Sequence, residues 1–255
     1  EGWADSDNDG VPDYLDAISE SNLMPIAANS DNWVQTENGT LLSLGAMAIV
    51  QPDFSLSLSE QQLSAANDDY FDFPDGLLDY RLVGGQPGYV YSLVIPTSFP
   101  VGPRDEIKKY IDSTLGWQLF TEDANNSVAS VAATSGTCPE PGSDLYVLGL
   151  NEGSNCVQLK IEDGGPNDAD GQANGMLVDP VGVASKYIGT PSDSSTATLN
   201  DDQITSNGSD SVTVTVTVFD AQGLKLEDMT ISGSASLSGV SVSSFSQQGE
   251  GVYTA

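Results

Sequence analysis

Residues 138–179 read CPEPGSDLYVLGLNEGSNCVQLKIEDGGPNDADGQANGMLVD, and this stretch decides the fold class. Val157-Gln158-Leu159-Lys160-Ile161 alternates apolar and polar residues, the pattern of a strand with one buried face. It breaks into Glu162-Asp163-Gly-Gly-Pro-Asn167-Asp168-Ala-Asp170-Gly171, where glycine, proline and carboxylates together exclude both helix and strand. Carboxylates this crowded repel one another unless a cation sits among them, and hard oxygen donors suit Ca²⁺. Two readings stand for the loop: a solvated acidic turn, or a calcium site using Asp163, Asn167, Asp168, Asp170 and Asp179.

Outward from this stretch, composition narrows the options. The chain has 255 residues, enough for one large or two modest domains, with 37 acidic against 7 basic residues and no histidine. Aspartates outnumber glutamates, which favours turns and ion loops over helices. A formal charge of −30 repels nucleic acid and anionic membrane, so both are poor partners. The hydrophobic content of 38% falls in periodic strands with Tyr, Phe and Trp, which argues against disorder.

The only two cysteines, Cys138 and Cys156, fit one disulfide in an oxidising compartment. No signal peptide is present, and no apolar run approaches the ~20 residues of a membrane span. The expectation is a chain displayed outside the cell, with Glu1 the start of a mature or excised segment.

The sharpest motif is Asp5-Ser-Asp7-Asn-Asp9-Gly10-Val11-Pro-Asp13-Tyr-Leu-Asp16. Numbered as a twelve-residue loop, it places Asp at positions 1, 3, 5, 9 and 12 and Gly at 6. Those side chains, with the Val11 carbonyl at position 7, are the expected ligands of one Ca²⁺. An EF-hand loop usually ends in Glu, whereas Asp16 reaches less far. The pattern, with proline before Asp13, resembles the thrombospondin type-3 calcium repeat. That resemblance implies a neck that braces neighbouring modules, here over residues 1–20.

A second resemblance rests on Cys138-Pro-x-Pro-Gly, Gly149-Leu-x-Glu-Gly-x-x-Cys156-Val-Gln-Leu and Glu162-Asp-Gly-Gly-Pro-Asn-Asp-Ala-Asp-Gly-x-Ala-Asn-Gly175. These residues resemble the choice-of-anchor domains (type U) of bacterial surface proteins, from about residue 21 to Ala184. The resemblance implies a β-sandwich over residues 21–190 and an extracellular location more than any activity.

Within that span, Asn32–Thr36 and Leu41–Gly45 are apolar-rich segments, Phe54–Leu58, Leu78–Val83 and Tyr89–Ile95 read as strands, and residues 60–69 as containing one short helical turn. Asp72, Asp75 and Asp79 lie in a turn entering a strand, with ligation of a further Ca²⁺ as the alternative. Glu106–Tyr110 and Gly116–Phe120 read as a hairpin. Its Arg104, Lys108 and Lys109 are expected to face acidic neighbours, and its Trp117 to be core rather than a sugar platform. Ser185–Ser195 reads as a linker.

Ser211-Val-Thr-Val-Thr-Val-Thr-Val-Phe219 then alternates strictly and meets a turn at Asp220–Gly223. With Thr196–Asn200 before it and Gly251–Ala255 after it, this resembles a bacterial Ig-like repeat of the invasin/intimin type. Residues 191–255 are shorter than such a sandwich, so a closing strand is expected to be missing.

The expected fold is therefore all-β: a calcium loop, a disulfide-stapled β-sandwich, and an incomplete Ig-like sandwich. Without histidine, nucleophilic machinery is poorly supported, and the carboxylates cluster in Gly/Asn loops rather than as an isolated pair. The reading is a non-enzymatic, calcium-stabilised structural or adhesive module of a bacterial surface protein. Its expected partners are further modules, identical subunits, surface glycans or other cells. The alternatives are a filament subunit joined by β-strand complementation and a calcium-dependent glycan-binding module.

Overall fold

The structure, a computed structural model, describes residues 4–13, 15, 20–27, 30, 32–59, 62, 71–111, 115–133, 137–187, 189–205, 207–221 and 223–255. Asp16, residues 112–114 and most of the 60–69 segment lie outside the described residues.

Among the described residues there is no helix. In chain order the strands are β1 (Leu23–Pro25), β2 (Trp33–Thr36), β3 (Leu41–Leu44), β4 (Ser57–Leu58), β5 (Phe71–Asp72), β6 (Leu77–Val83), β7 (Val90–Pro96), β8 (Asp105–Tyr110) and β9 (Trp117–Leu119). They continue as β10 (Ser127–Val131), β11 (Val147–Leu148), β12 (Cys156–Glu162), β13 (Met176–Lys186), β14 (Thr196–Leu199), β15 (Val214–Thr217), β16 (Ser246–Gly249) and β17 (Val252–Thr254). The chain divides into two compact units, 1–186 and 187–255, with the division inside the expected linker.

The first unit holds two antiparallel sheets, ordered β1-β2-β7-β12-β10-β11 and β3-β6-β13-β8-β9, with β4 on β6 and β5 on β13. Period-two patterning builds one core from both. On the first sheet Tyr91, Leu93 and Ile95 stand opposite Ile161, Leu159 and Val157. On the second, Leu78 and Leu82 stand opposite Val181 and Leu177, and all ten residues join one buried cluster. The sequence fixes this register because a one-residue slip would turn every one of these side chains away from the core.

The longest strand, β13, is not among the expected strands, and neither are β1, β10, β11 and β16. Pro180 and Gly182 argue against a central strand, yet β13 pairs with β6 on one side and β8 on the other. Pro180 sits opposite Asp79, whose N–H goes to the Leu56 carbonyl and whose carbonyl takes the Gly45 N–H. The pair is thus a non-hydrogen-bonded one, and the missing proline donor leaves no carbonyl of β6 waiting. At Gly182 a Cβ would come within 2.6 Å of Phe73, whose ring stacks on Trp117 at 4.2 Å. Trp117 also meets Tyr110 edge-on, so it belongs to an aromatic cluster against the core, as expected.

Expected strand 54–58 shortens to β4, because Phe54 takes a positive φ of 49° and only Ser57 and Leu58 find partners on β6. The hairpin of β8 and β9 forms with Tyr110 opposite Trp117.

The second unit is one antiparallel sheet, β14-β15-β17-β16, over a small core of Val218, Leu226 and Tyr253. The expected nine-residue strand is trimmed to Val214–Thr217, the length its partners β14 and β17 span. Asp220 makes the expected turn, its carboxylate accepting the Leu224 N–H at 2.8 Å. A second, facing sheet is not formed among the described residues.

Candidate metal centre

The amino-terminal acidic loop is folded onto the sandwich rather than standing apart. Val11 is 3% exposed and belongs to the main core, and the Asp9 carbonyl accepts the Leu44 N–H of β3 at 2.8 Å. Two positive φ values, 62° at Asn8 and 96° at Gly10, curl the chain between these anchors. Asn and Gly are the residue types that tolerate such a conformation.

The curl gathers Asp5, Asp7 and Asp9, each of which brings one carboxylate oxygen within 4.8 Å of the others. Ca²⁺ holds oxygens at about 2.3–2.6 Å, so ligands on opposite sides of one ion stand about 5 Å apart. The spacing and the all-oxygen donor set therefore fit a hard cation. Asp5 presents one oxygen, Oδ2, to the Gly10 N–H at 3.1 Å, while its Oδ1 is buried with no hydrogen-bond donor among the described residues. A buried carboxylate oxygen without a donor is costly, and a bound cation relieves that cost. Asp9 is fully buried and its Oδ1 accepts the Val11 N–H at 2.7 Å.

Asp13 is not gathered with the three. Both of its oxygens accept from Ser6, the backbone N–H at 2.7 Å and the hydroxyl at 3.0 Å. It closes the loop on itself, and the Asp13 N–H reaches back to the Ala4 carbonyl.

The second acidic loop is organised differently. Asp163 Oδ2 accepts the N–H groups of Gly88 and Gly175, both at 2.8 Å. Asp168 accepts from Gly164 at 2.8 Å and Val178 at 3.0 Å, and burial pushes its carboxyl above the ordinary range. Asn167 bridges to the Thr121 N–H and carbonyl, and Asp170 takes the Gln172 N–H at 2.8 Å. Asp179 faces Lys109 and Tyr80. Each of these five side chains bonds a different piece of backbone or core, and no three of the four carboxylates converge. Among the described residues, the only three carboxylates that converge are Asp5, Asp7 and Asp9.

Of the other acids, Asp75 accepts the Ser98 N–H at 3.1 Å and Asp79 accepts Met47 and Ala48 at 2.7 and 2.8 Å. The disulfide expected between Cys138 and Cys156 is formed and staples the 139–155 loop to β12. Among the described residues no helix is long and apolar enough to cross a membrane.

Lys109 faces an acidic neighbour, as expected, but the sequence does not single out Asp179 as that partner. Its one signal is parity: in β13, Asp179 falls between Leu177 and Val181 at a core-facing position. No protein-family model, no curated protein and no solved structure matches the chain.

Proposed function

We propose that the chain is a calcium-stabilised extracellular module of a bacterial surface protein, structural or adhesive rather than enzymatic. The observation that carries this reading is the convergence of Asp5, Asp7 and Asp9 in a loop whose next residue but one, Val11, is a core residue. An ion held there acts on the fold of the whole first unit rather than on a tether. The disulfide, the scarcity of basic residues and the sequence likeness to thrombospondin type-3 and choice-of-anchor modules support the same reading. Calorimetric titration of the chain with CaCl₂ tests it. Saturable binding that Asp7→Ala weakens is expected, and an isotherm unchanged by Asp7→Ala removes the calcium site.

One observation favours a filament-forming role within the same class. β14 forms an edge of the second unit's sheet and all four of its residues are exposed. An open edge of this kind accepts a strand from another copy. Regular fibres in electron micrographs of the native material favour this role, and isolated monomers at high concentration exclude it.

A further inference from the structure

Lys109 and Asp179 occupy places where the core expects apolar side chains. Lys109 lies opposite Val181 on β13, on the face that Ile107 shares, and Asp179 lies opposite Tyr80 of β6. The side chains are 1% and 0% exposed, and Lys109 Nζ is in direct contact with Asp179 Oδ1. Tyr80, also fully buried, donates its hydroxyl to the other oxygen, Asp179 Oδ2. Around them are Leu78, Leu82, Leu177 and Val181. Removing two opposite charges from water this completely carries a large desolvation penalty, which their attraction repays only in part.

From this geometry we propose that Lys109 and Asp179 condense to an intramolecular amide, a covalent cross-link between β8 and β13. The reaction needs no oxidant and no added reagent. The ammonium gives one proton to Asp179 Oδ1, leaving an amine and a carboxylic acid. Nζ then attacks Cγ and forms the N–C bond, and the negative charge gathers on Oδ2 against the Tyr80 hydroxyl. A second proton leaves Nζ and reaches Oδ1, the Cγ–Oδ1 bond breaks, and one water departs. The third proton stays on the amide nitrogen.

The surroundings supply what each step requires. Burial drives the Lys109 ammonium well below its usual range, which favours the neutral nucleophile. Burial also holds the Tyr80 hydroxyl protonated, so it remains a donor at any physiological pH. Asp168, whose charge Lys109 feels, lines the same cleft. That cleft, about 510 Å³ and lined also by Ile111, Gln118 and Asn167, opens beside Lys109 and gives the water an exit. The product replaces two buried charges by a neutral amide whose oxygen keeps the Tyr80 hydrogen bond. The disulfide loop lies wholly within the ring so closed.

This inference does not rest on the calcium reading; a cross-linked chain that ignores Ca²⁺ overturns only the latter. The test is the intact mass of the reduced, denatured protein, with mapping of its proteolytic peptides. The expected mass is one water below that of the sequence, with a branched peptide joining the Lys109 and Asp179 segments. Lys109→Arg, which keeps the charge, should restore the full mass. Tyr80→Phe keeps the ring but removes the donor, and should leave a measurable fraction unlinked. A full-mass native chain whose Lys109 amine reacts with an acylating reagent after denaturation overturns the proposal. So does a water loss that persists in Lys109→Arg, since a succinimide at an Asp-Gly step such as Asp163-Gly164 accounts for it. Should Lys109→Arg fail to fold, the branched peptide of the native chain and its depletion in Tyr80→Phe decide the question.

Discussion

The carbonyl oxygen of Asp9 accepts the backbone N–H of Leu44 at 2.8 Å, so the residue that offers a carboxylate to the acidic loop is also bonded to the sandwich. An ion held by that carboxylate would therefore act on core stability through a single residue. Calcium at about a hundred times its dissociation constant should stabilise the first unit by about 2.7 kcal/mol. The expected result is a calcium-dependent rise in melting temperature that Asp7→Ala abolishes. An unmoved transition despite calorimetric binding would mean that the loop opens independently of the core.

Gly10 gives a separate test of the loop's shape. A Cβ there would meet Leu44 and Ile49 at 3.6 Å, an ordinary contact, so space does not forbid a side chain. The φ of 96° does. Gly10→Ala should cost about 1–2 kcal/mol from backbone conformation alone, read by denaturant unfolding. Since the carboxylates are untouched, any weakening of calcium affinity in this variant reports the curl of the backbone rather than a lost ligand.

The two acidic loops differ in how far the sequence foretells them. Asp5, Asp7 and Asp9 are gathered by local geometry, with Asn8 and Gly10 supplying the reversals, so alternation of Asp with turn formers is enough to find them. Asp163 takes its donors from Gly88, on a distant turn, and from Gly175, and nothing near Asp163 in the chain announces either. β13 was hidden for a related reason: Pro180 is tolerated because Asp79, far away in sequence, turns its own backbone bonds elsewhere. Local periodicity finds strands such as β7 and β12, whose breaks and cross-strand partners agree with their own pattern. It does not find a strand licensed by its neighbour.

Asp163 therefore predicts a stability effect rather than an ion effect. Its Oδ2 serves Gly88 and Gly175, and Oδ1 receives the Asn174 N–H at 3.3 Å. Asp163→Ala leaves buried donors unsatisfied at about 1–3 kcal/mol each. Asp163→Asn keeps one oxygen for the two glycines and should lose much less. Calcium stoichiometry should be the same in both variants and the native chain; a lost equivalent would return the loop to the metal-binding reading.

Reduction of Cys138–Cys156 has a local and a global consequence. The residues are 18 apart in sequence, and closing a loop of that size stabilises a fold by about 3 kcal/mol. Within the loop, β11 has only two paired residues, and Leu145, Val147 and Leu148 are exposed. β12, by contrast, pairs along its whole length with β7. Reduction should thus admit protease between residues 139 and 155 first, while fragments containing β12 and β7 stay associated. Simultaneous cleavage throughout the first unit would show that the disulfide holds more than this loop.

Asp79 supplies the pH dependence. It is 1% exposed, and desolvation raises its carboxyl above the ordinary range, although the Met47 and Ala48 N–H groups and the nearby Arg81 charge pull the other way. Because the folded value is raised, the group's contribution is fully present below the unfolded value and is lost as pH rises through the folded one. Both N–H donors bind the same oxygen, Oδ2, so an asparagine in the same rotamer keeps both bonds without carrying charge. Asp79→Asn should match the native chain in acid, where the aspartate is protonated, and become the more stable of the two as pH approaches neutrality. Chemical unfolding across that range measures the difference directly. An asparagine variant that instead becomes the less stable of the two with rising pH would mean that the two N–H bonds outweigh burial and hold the Asp79 carboxylate charged.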